Sequence, residues 1–567
     1  MKAVNKWGIG AVLAGMMLGS CTKGFEDLNK SPNVSDNTAP ELLITQSVKS
    51  IVDRDFDWFY DNYQYEMQWM QFVTAAPNSS VATLFTPTNT NDFYGALYKN
   101  IGRNLVDIEE MVKKMPEEQK GKYAQLVAIA KIIKVYASWR VSDANGSIPY
   151  TQAWTSRYGG TFTPVYDNQE TLFATWDAEL KAALATLTQG LQNQVSYGAG
   201  DIFYNGNAAN WAKAGNVLRL KLAMRLLKRS PEKVGPIAKE VLASTAGIFS
   251  GLDDEWKFIS AETNFARGGN WSMDNSPIVA AKNMVDYMNA NKDPRIGLFF
   301  EKNTYTQSAF DSLKAGGALS AGAIYDGQRY VGLPSSPAQR TSATYAALFA
   351  KKTYVLNLNG KQVTVNHDTV SNIQKRLFDL NQEGNGPGKY TQPILTYAEM
   401  CFMLSELSVR GIIAEDAKAW YEKGITASVN AYDKMGSLAN IKDYTAVNPA
   451  AIQAYIAMPN VAFTGSTAVL LEKINIQNFL NHYKSPWEAW GAWKRADVPK
   501  VGGILPFEPF VSAQGTNIVV PRRWALPQPG TNDNMPNWRN AIAEMQKTGE
   551  YGNDANTFTG RVWWDKQ

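Results

Sequence analysis

Histidine and cysteine carry much of the nucleophilic, metal and proton-transfer chemistry of proteins, and this chain has two of each in 567 residues. His367 and His482 stand far apart, and neither an HExxH pattern nor a Cys/His cluster of zinc spacing occurs. There is no GxSxG elbow. Asp253, Asp254 and Glu255 are adjacent acids. Neighbours in sequence do not face each other across a scissile bond, as glycosidase carboxylates must, although distant pairs stay open. In "EGNGPGKYT" (383–391), Glu383 stands where a phosphate-binding loop needs its first glycine, so the stretch reads as a flexible turn. Asp143-Ala144-Asn145-Gly146-Ser147 has its glycine fourth, where a calcium loop has it sixth, and also reads as a turn. No metal or cofactor is expected, and structural calcium is left open.

The position of Cys21 does point to chemistry. Lys2 and Lys6 precede an apolar run, Ile9 to Leu18, and the small residues Gly19 and Ser20 follow. The run is shorter than the ~20 apolar residues a membrane span needs and has the form of a secretory signal. Leu18-Gly19-Ser20-Cys21 resembles the bacterial lipobox. That resemblance implies cleavage before Cys21, a diacylglycerol thioether on its sulfur and an N-acyl chain; two or more acyl chains anchor stably. Thr22 rather than Asp follows, which favours the outer membrane. Once Cys21 is lipidated only Cys401 remains, so no intrachain disulfide can form, and Cys401 reads as a small buried hydrophobe.

Apolar residues make 45% of the chain and charged residues 19%, as in a globular protein. The formal charge of +4 falls to +2 without Lys2 and Lys6, too balanced for nucleic-acid binding. Aromatic residues reach 12%, the main oddity of composition.

Elements that could position functional groups are mostly helical. Residues 123–141 are apolar on most sides, as in a buried helix. Leu172, Phe173, Trp176, Leu180, Ala183, Leu184 and Leu187 follow the helical period. Trp211, Ala214, Leu218, Leu222 and Leu226 form another stripe, with Lys213, Arg219, Lys221, Arg225 and Lys228 lying off it and Pro231 closing the segment. Residues 393–437 read as a helical hairpin broken at Gly411 and stopped at Gly436. Helix pairs of this length cannot bury both faces alone, so several should stack, as in tetratricopeptide solenoids. Asn359-Gly360 inside "TYVLNLNGKQVTV" (353–365) predicts a β-hairpin. Residues 250–350 and 500–535 are rich in Gly, Pro, Asn and Ser and read as long loops, where function often sits.

Six blocks now resemble, in order, the SusD/RagB nutrient-binding outer-membrane lipoproteins of Bacteroidetes. They are "FEDLNKSPN" (25–33) with "PELL" (40–43); "WRVSDANGSIPYTQAW" (139–154) with "TPVYDNQETLF" (163–173); "NWAKAGNVLRLKLAMRLLK" (210–228); "PILTYAEMCFMLSELSVRG" (393–411) with "AWYEKGITASV" (419–429); "INIQNFLNHYKSPWEAWGAWKRADVP" (474–499); and "PRRWALPQPGTNDN" (521–534). The resemblance implies a mainly α fold: tetratricopeptide-like helical hairpins in a solenoid, with loop-rich insertions and a few short β-hairpins. The corresponding division is a signal at 1–20, a lipidated tether at 21–40 and one SusD-like domain at 41–567. Helix pairs would fall within about 120–230 and 393–500, and ligand-side insertions at about 57–95 and 250–390. The surface-export signal of that family places acids close behind the cysteine, whereas here Thr22-Lys23-Gly24 intervene before Glu26 and Asp27.

The resemblance further implies a non-enzymatic receptor, lipid-anchored at the cell surface, that binds oligosaccharide and caps a SusC-like TonB-dependent barrel as a lid. An oligopeptide ligand is the alternative within the family; outside it stand a surface glycoside hydrolase and a purely structural cap. A sugar offers an apolar face to an aromatic ring and hydroxyls to Asn, Gln, Asp and Arg, and delivery requires weak binding, on the order of micromolar to millimolar. The candidate ligand residues are Tyr65, Trp69, Phe72 and Asn78 from the first insertion. Arg267, Asn270, Trp271 and Asp274 come from the second, and Tyr330 is a further candidate. Tyr65, Trp69 and Phe72 share one helix face, a spacing more often used for core. Trp139, Trp211, Tyr397 and Trp490 are expected to lock helices together.

Overall fold

The computed structural model describes residues 38–77, 79, 84–88, 90–261, 272–349 and 353–567. The chain enters its first helix, α1 (Pro40–Val52), with proline at the position that needs no N–H donor. There follow α2 (Gly102–Lys114), α3 (Ala124–Asn145), α4 (Gln169–Leu187), α5 (Ala208–Arg225) and α6 (Pro231–Ala243). Asn168 and Asn207 accept hydrogen bonds from the N–H groups of Thr171 and Asn210, satisfying orphan donors at the starts of α4 and α5. The nine-residue helices α7 (Lys282–Ala290) and α8 (Gln307–Ala315) lie in the loop-rich middle, beside the single turns Ile296–Phe299 and Ala346–Phe349. Then come α9 (Tyr397–Val409), α10 (Ala417–Ala439), α11 (Pro449–Ile456), α12 (Thr467–Asn481), α13 (Pro486–Ala496) and α14 (Met535–Gln546).

Consecutive helices pack as a stack: α1 on α2, α2 on α3, α3 on α4, α4 on α5 and α5 on α6. From α5 the stack passes to α9, which packs on α10 and α12, and α12 meets α13. The fold is thus mainly α and tetratricopeptide-like. α3 is buried on most sides because α2, α4 and α5 cover it. Trp139, Trp211 and Trp490 are core residues and Tyr397 is half-buried. Cys401 is a free, buried thiol.

Three features differ from the sequence expectation. The basic residues of α5 do not all form a solvated face: Arg219, Lys221 and Arg225 are buried. Lys221 Nζ lies 2.7 Å from Glu399 and 2.8 Å from Glu488, Arg225 pairs with Asp143 at 2.9 Å, and Arg219 with Asp177 at 2.7 Å. Desolvating such ions costs several kcal/mol each, so only these partners on α3, α4, α9 and α13 make the arrangement tolerable. Second, Gly436 does not stop α10. The helix runs on to Ala439, and Asn440 takes the left-handed conformation (φ 51°) that ends it. Gly436 serves close packing instead, since a Cβ there would meet Leu298 at 3.0 Å.

Third, Tyr65, Trp69 and Phe72 form no sugar platform. They are 2%, 0% and 0% exposed. Trp69 packs on Trp524 and Trp490 with ring centroids 4.9 and 5.5 Å apart, and Phe72 stacks on Phe479 at 4.4 Å. Their shared face turns inward because the segment, π-helical over Asp57–Glu66 and α-helical over Met67–Trp69, docks onto α13. Large aromatic rings gain more from burial there than from exposure.

Among the described residues the strands form three antiparallel pairs: β1 (Val73–Ala75) with β3 (Ile278–Ala280), β2 (Trp256–Ile259) with β6 (Thr391–Leu395), and β4 (Thr353–Leu358) with β5 (Lys361–Asn366). Asn359 and Gly360 turn the last hairpin with φ 52° and 78°, as its sequence predicts. The β1–β3 pair joins the two insertions from which the candidate ligand residues come.

Candidate ligand-binding site

Tyr330 lines a partly enclosed cavity of about 270 Å³ beyond the C-terminal end of α7. Its walls come from residues 294–304, 368–374 and 441–445. Identifiable bonds tie these walls together. Arg295, fully buried, pairs with Asp293 at 2.7 Å and reaches Gln477 at 3.0 Å, locking the turn after α7. Glu301 N–H donates to Asn372 O at 2.8 Å and Gln374 N–H to Phe299 O at 2.8 Å, which ties the first wall to the second. Asn289 Nδ2 donates to Tyr330 O at 3.2 Å. A Cβ on Gly297 would lie 2.9 Å from the Tyr330 hydroxyl, so only glycine lets that ring come so near.

The cavity is rich in acceptors. Gln374 is 3% exposed; its Nε2 donates to Gly297 O at 3.0 Å and to Lys442 O at 3.4 Å, tying the first and third walls together. Glu301, Asp368 and Asp443 add carboxylates, and Lys302 and Lys442 add cations. Burial raises the Glu301 carboxyl above its usual range, against the pull of Lys442 and Lys375. Among the described residues no group of three or more His, Cys, Asp or Glu could hold a metal ion.

Asp274 is not part of this cavity. It pairs with Lys375 at 3.1 Å and accepts from Gln382 Nε2 at 3.1 Å, and the Lys375 bond holds its carboxyl below the usual range. It joins residues 272–275 to the segment carrying Gln374. Asn78, Arg267, Asn270, Trp271 and Cys21 lie outside the described residues.

On the flank of α7 runs an open groove of about 580 Å³, with Asn283, Tyr345, Ile504 and Phe507 among its lining residues. Nearby, Arg340 gathers the carbonyls of Ala75, Ala76, Pro77 and Ser79 at 2.6–3.3 Å, fixing the start of the loop after β1. Glu301, Gln374, Arg340 and Tyr345 were not singled out from sequence. Their segments were legible only as aperiodic loops, and no periodicity marks which side chain of a loop points inward.

The sequence matches the SusD-like family, described as starch-binding and associating with the outer membrane, over residues 32–527. The chain belongs to the SusD-like family. Among solved structures similar to it, a chitin-binding protein is 23% identical with a TM-score of 0.67, the alignment covering 93% of this chain and 100% of that one. A SusD homologue from Bacteroides fragilis is 19% identical with a TM-score of 0.69, covering 93% and 100%. A chitin-binding SusD homologue from Flavobacterium johnsoniae is 21% identical with a TM-score of 0.60, covering 93% and 98%. At such identities these structures establish the fold. No curated protein sequence matches the chain. The SusD-like family is one of outer-membrane-associated binding proteins, and among the described residues of this SusD-like chain no helix is long and apolar enough to cross a membrane.

Proposed function

We propose that this SusD-like protein is a cell-surface lipoprotein, held by acyl chains on Cys21, that binds oligosaccharide without transforming it and hands it to a SusC-like TonB-dependent barrel. The observation that carries the ligand class is the Tyr330 cavity. Three carboxylates, Glu301, Asp368 and Asp443, stand beside a half-buried aromatic ring. Sugar hydroxyls are donors closely spaced around an apolar ring, which is the complement of that lining. The family description and the chitin-binding relatives support the same class.

Calorimetry on the mature protein with malto-, cello-, xylo- and chito-oligosaccharides and a panel of oligopeptides tests the reading. Micromolar-to-millimolar binding of one glycan series is expected, with no product released. Binding of peptides alone, binding of nothing, or turnover of a glycan would overturn it.

A further inference from the structure

The inference drawn here deepens the glycan reading and rests on it. We infer that the Tyr330 cavity takes a single terminal sugar, so that this protein recognises the ends of glycan chains rather than their interiors.

Size is the first argument. At about 270 Å³ the cavity falls below the ~300–1,000 Å³ typical of sites that enclose drug-sized molecules. One pyranose of roughly a dozen heavy atoms fits such a space, and two linked rings overfill it. Closure is the second. Phe300 and Gln374, which form part of the lining, are 0% and 3% exposed, so the cavity is backed by the protein core. A sugar inside a chain carries linkages on two sides and needs two ways out. A terminal sugar needs one. The third argument is polarity: an end residue presents at least one more free hydroxyl than an interior one, and Glu301, Asp368 and Asp443 in the lining supply acceptors for a crown of donors. The groove beside α7, about 580 Å³ and open, is the contrast. Its form suits a chain passing along it, and it does not enclose a ring.

The test measures how many protein molecules bind one glycan chain. Whichever linear series binds in calorimetry is compared at two lengths, a hexamer and a polymer fraction of about thirty units. Recognition of chain ends gives the same number of proteins per chain at both lengths. A number that rises with length overturns the inference and leaves glycan binding intact, whereas absence of binding to every series overturns both. Variants locate the site. Glu301→Gln and Tyr330→Phe each remove one polar contact from the wall without touching the core, and each should weaken hexamer binding about tenfold at unchanged melting temperature. Unchanged affinity in both variants, or a loss confined to Tyr345→Ala in the groove, would overturn the assignment.

Discussion

Glu66 and Glu406 are both buried, and their surroundings drive them in opposite directions. Burial alone would raise the Glu406 carboxyl, but the charge of Arg495, its hydrogen bonds at 2.6 and 2.8 Å, and Arg410 outweigh burial and hold it at about 2. Its contribution to stability is present above the unfolded value near 4.5 and is lost as pH falls toward 2. Glu406→Gln should therefore cost about 3–5 kcal/mol at pH 7, because Arg495 loses its charge partner, and less at pH 3. Urea denaturation at the two pH values checks this. Glu66 is pushed up to about 8 by burial and by the charge of Asp57. The folded state keeps a proton that the unfolded chain releases above 4.5, so stability falls as pH rises from 4.5 to 8. Glu66→Gln mimics the protonated acid. It should match the parent's melting temperature at pH 4.5 and exceed it by several degrees at pH 9; an offset that does not change with pH would count against the assignment.

At the scale of elements, helix existence was legible because periodicity, caps and prolines act locally. The helix predicted over 123–141 and the periodic runs Leu172–Leu187 and Trp211–Leu226 correspond to α3, α4 and α5, and Asn359-Gly360 makes the expected hairpin. Which face each helix buries was less legible. α5 has an apolar stripe and a basic side, and sequence cannot tell that acids from four other helices cover the basic side. The close approach of α9 and α10 was hidden for the same reason. A Cβ on Gly424 would lie 2.5 Å from the ring of Phe402. Gly424→Ala would favour helix by propensity yet should destabilise the protein by about 1–3 kcal/mol, read as a lower denaturation midpoint, because the pair must move apart. A neutral or stabilising result would mean that the Phe402 ring moves aside freely.

For the molecule as a whole, the proposed membrane anchor rests on Cys21. Cys21→Ser should move the protein from the membrane fraction to the soluble fraction without changing its melting temperature, since a lipid anchor acts on location and not on the helical core; fractionation and thermal denaturation read the two effects. Pull-down of the intact lipoprotein from outer membranes should recover a large barrel partner, and repeated recovery without one would argue against the lid. The sequence by itself determined the helical class, the hairpin and the family, because propensity, capping and short motifs are properties of neighbouring residues. Only the tertiary structure decided which aromatics face inward and which loops meet. Tyr65, Trp69 and Phe72 had the spacing of a platform and became core. Tyr330, Glu301 and Gln374 are brought to one cavity by chain segments widely separated in sequence, and whether a ring or a carboxylate is buried depends on what the rest of the chain lays over it.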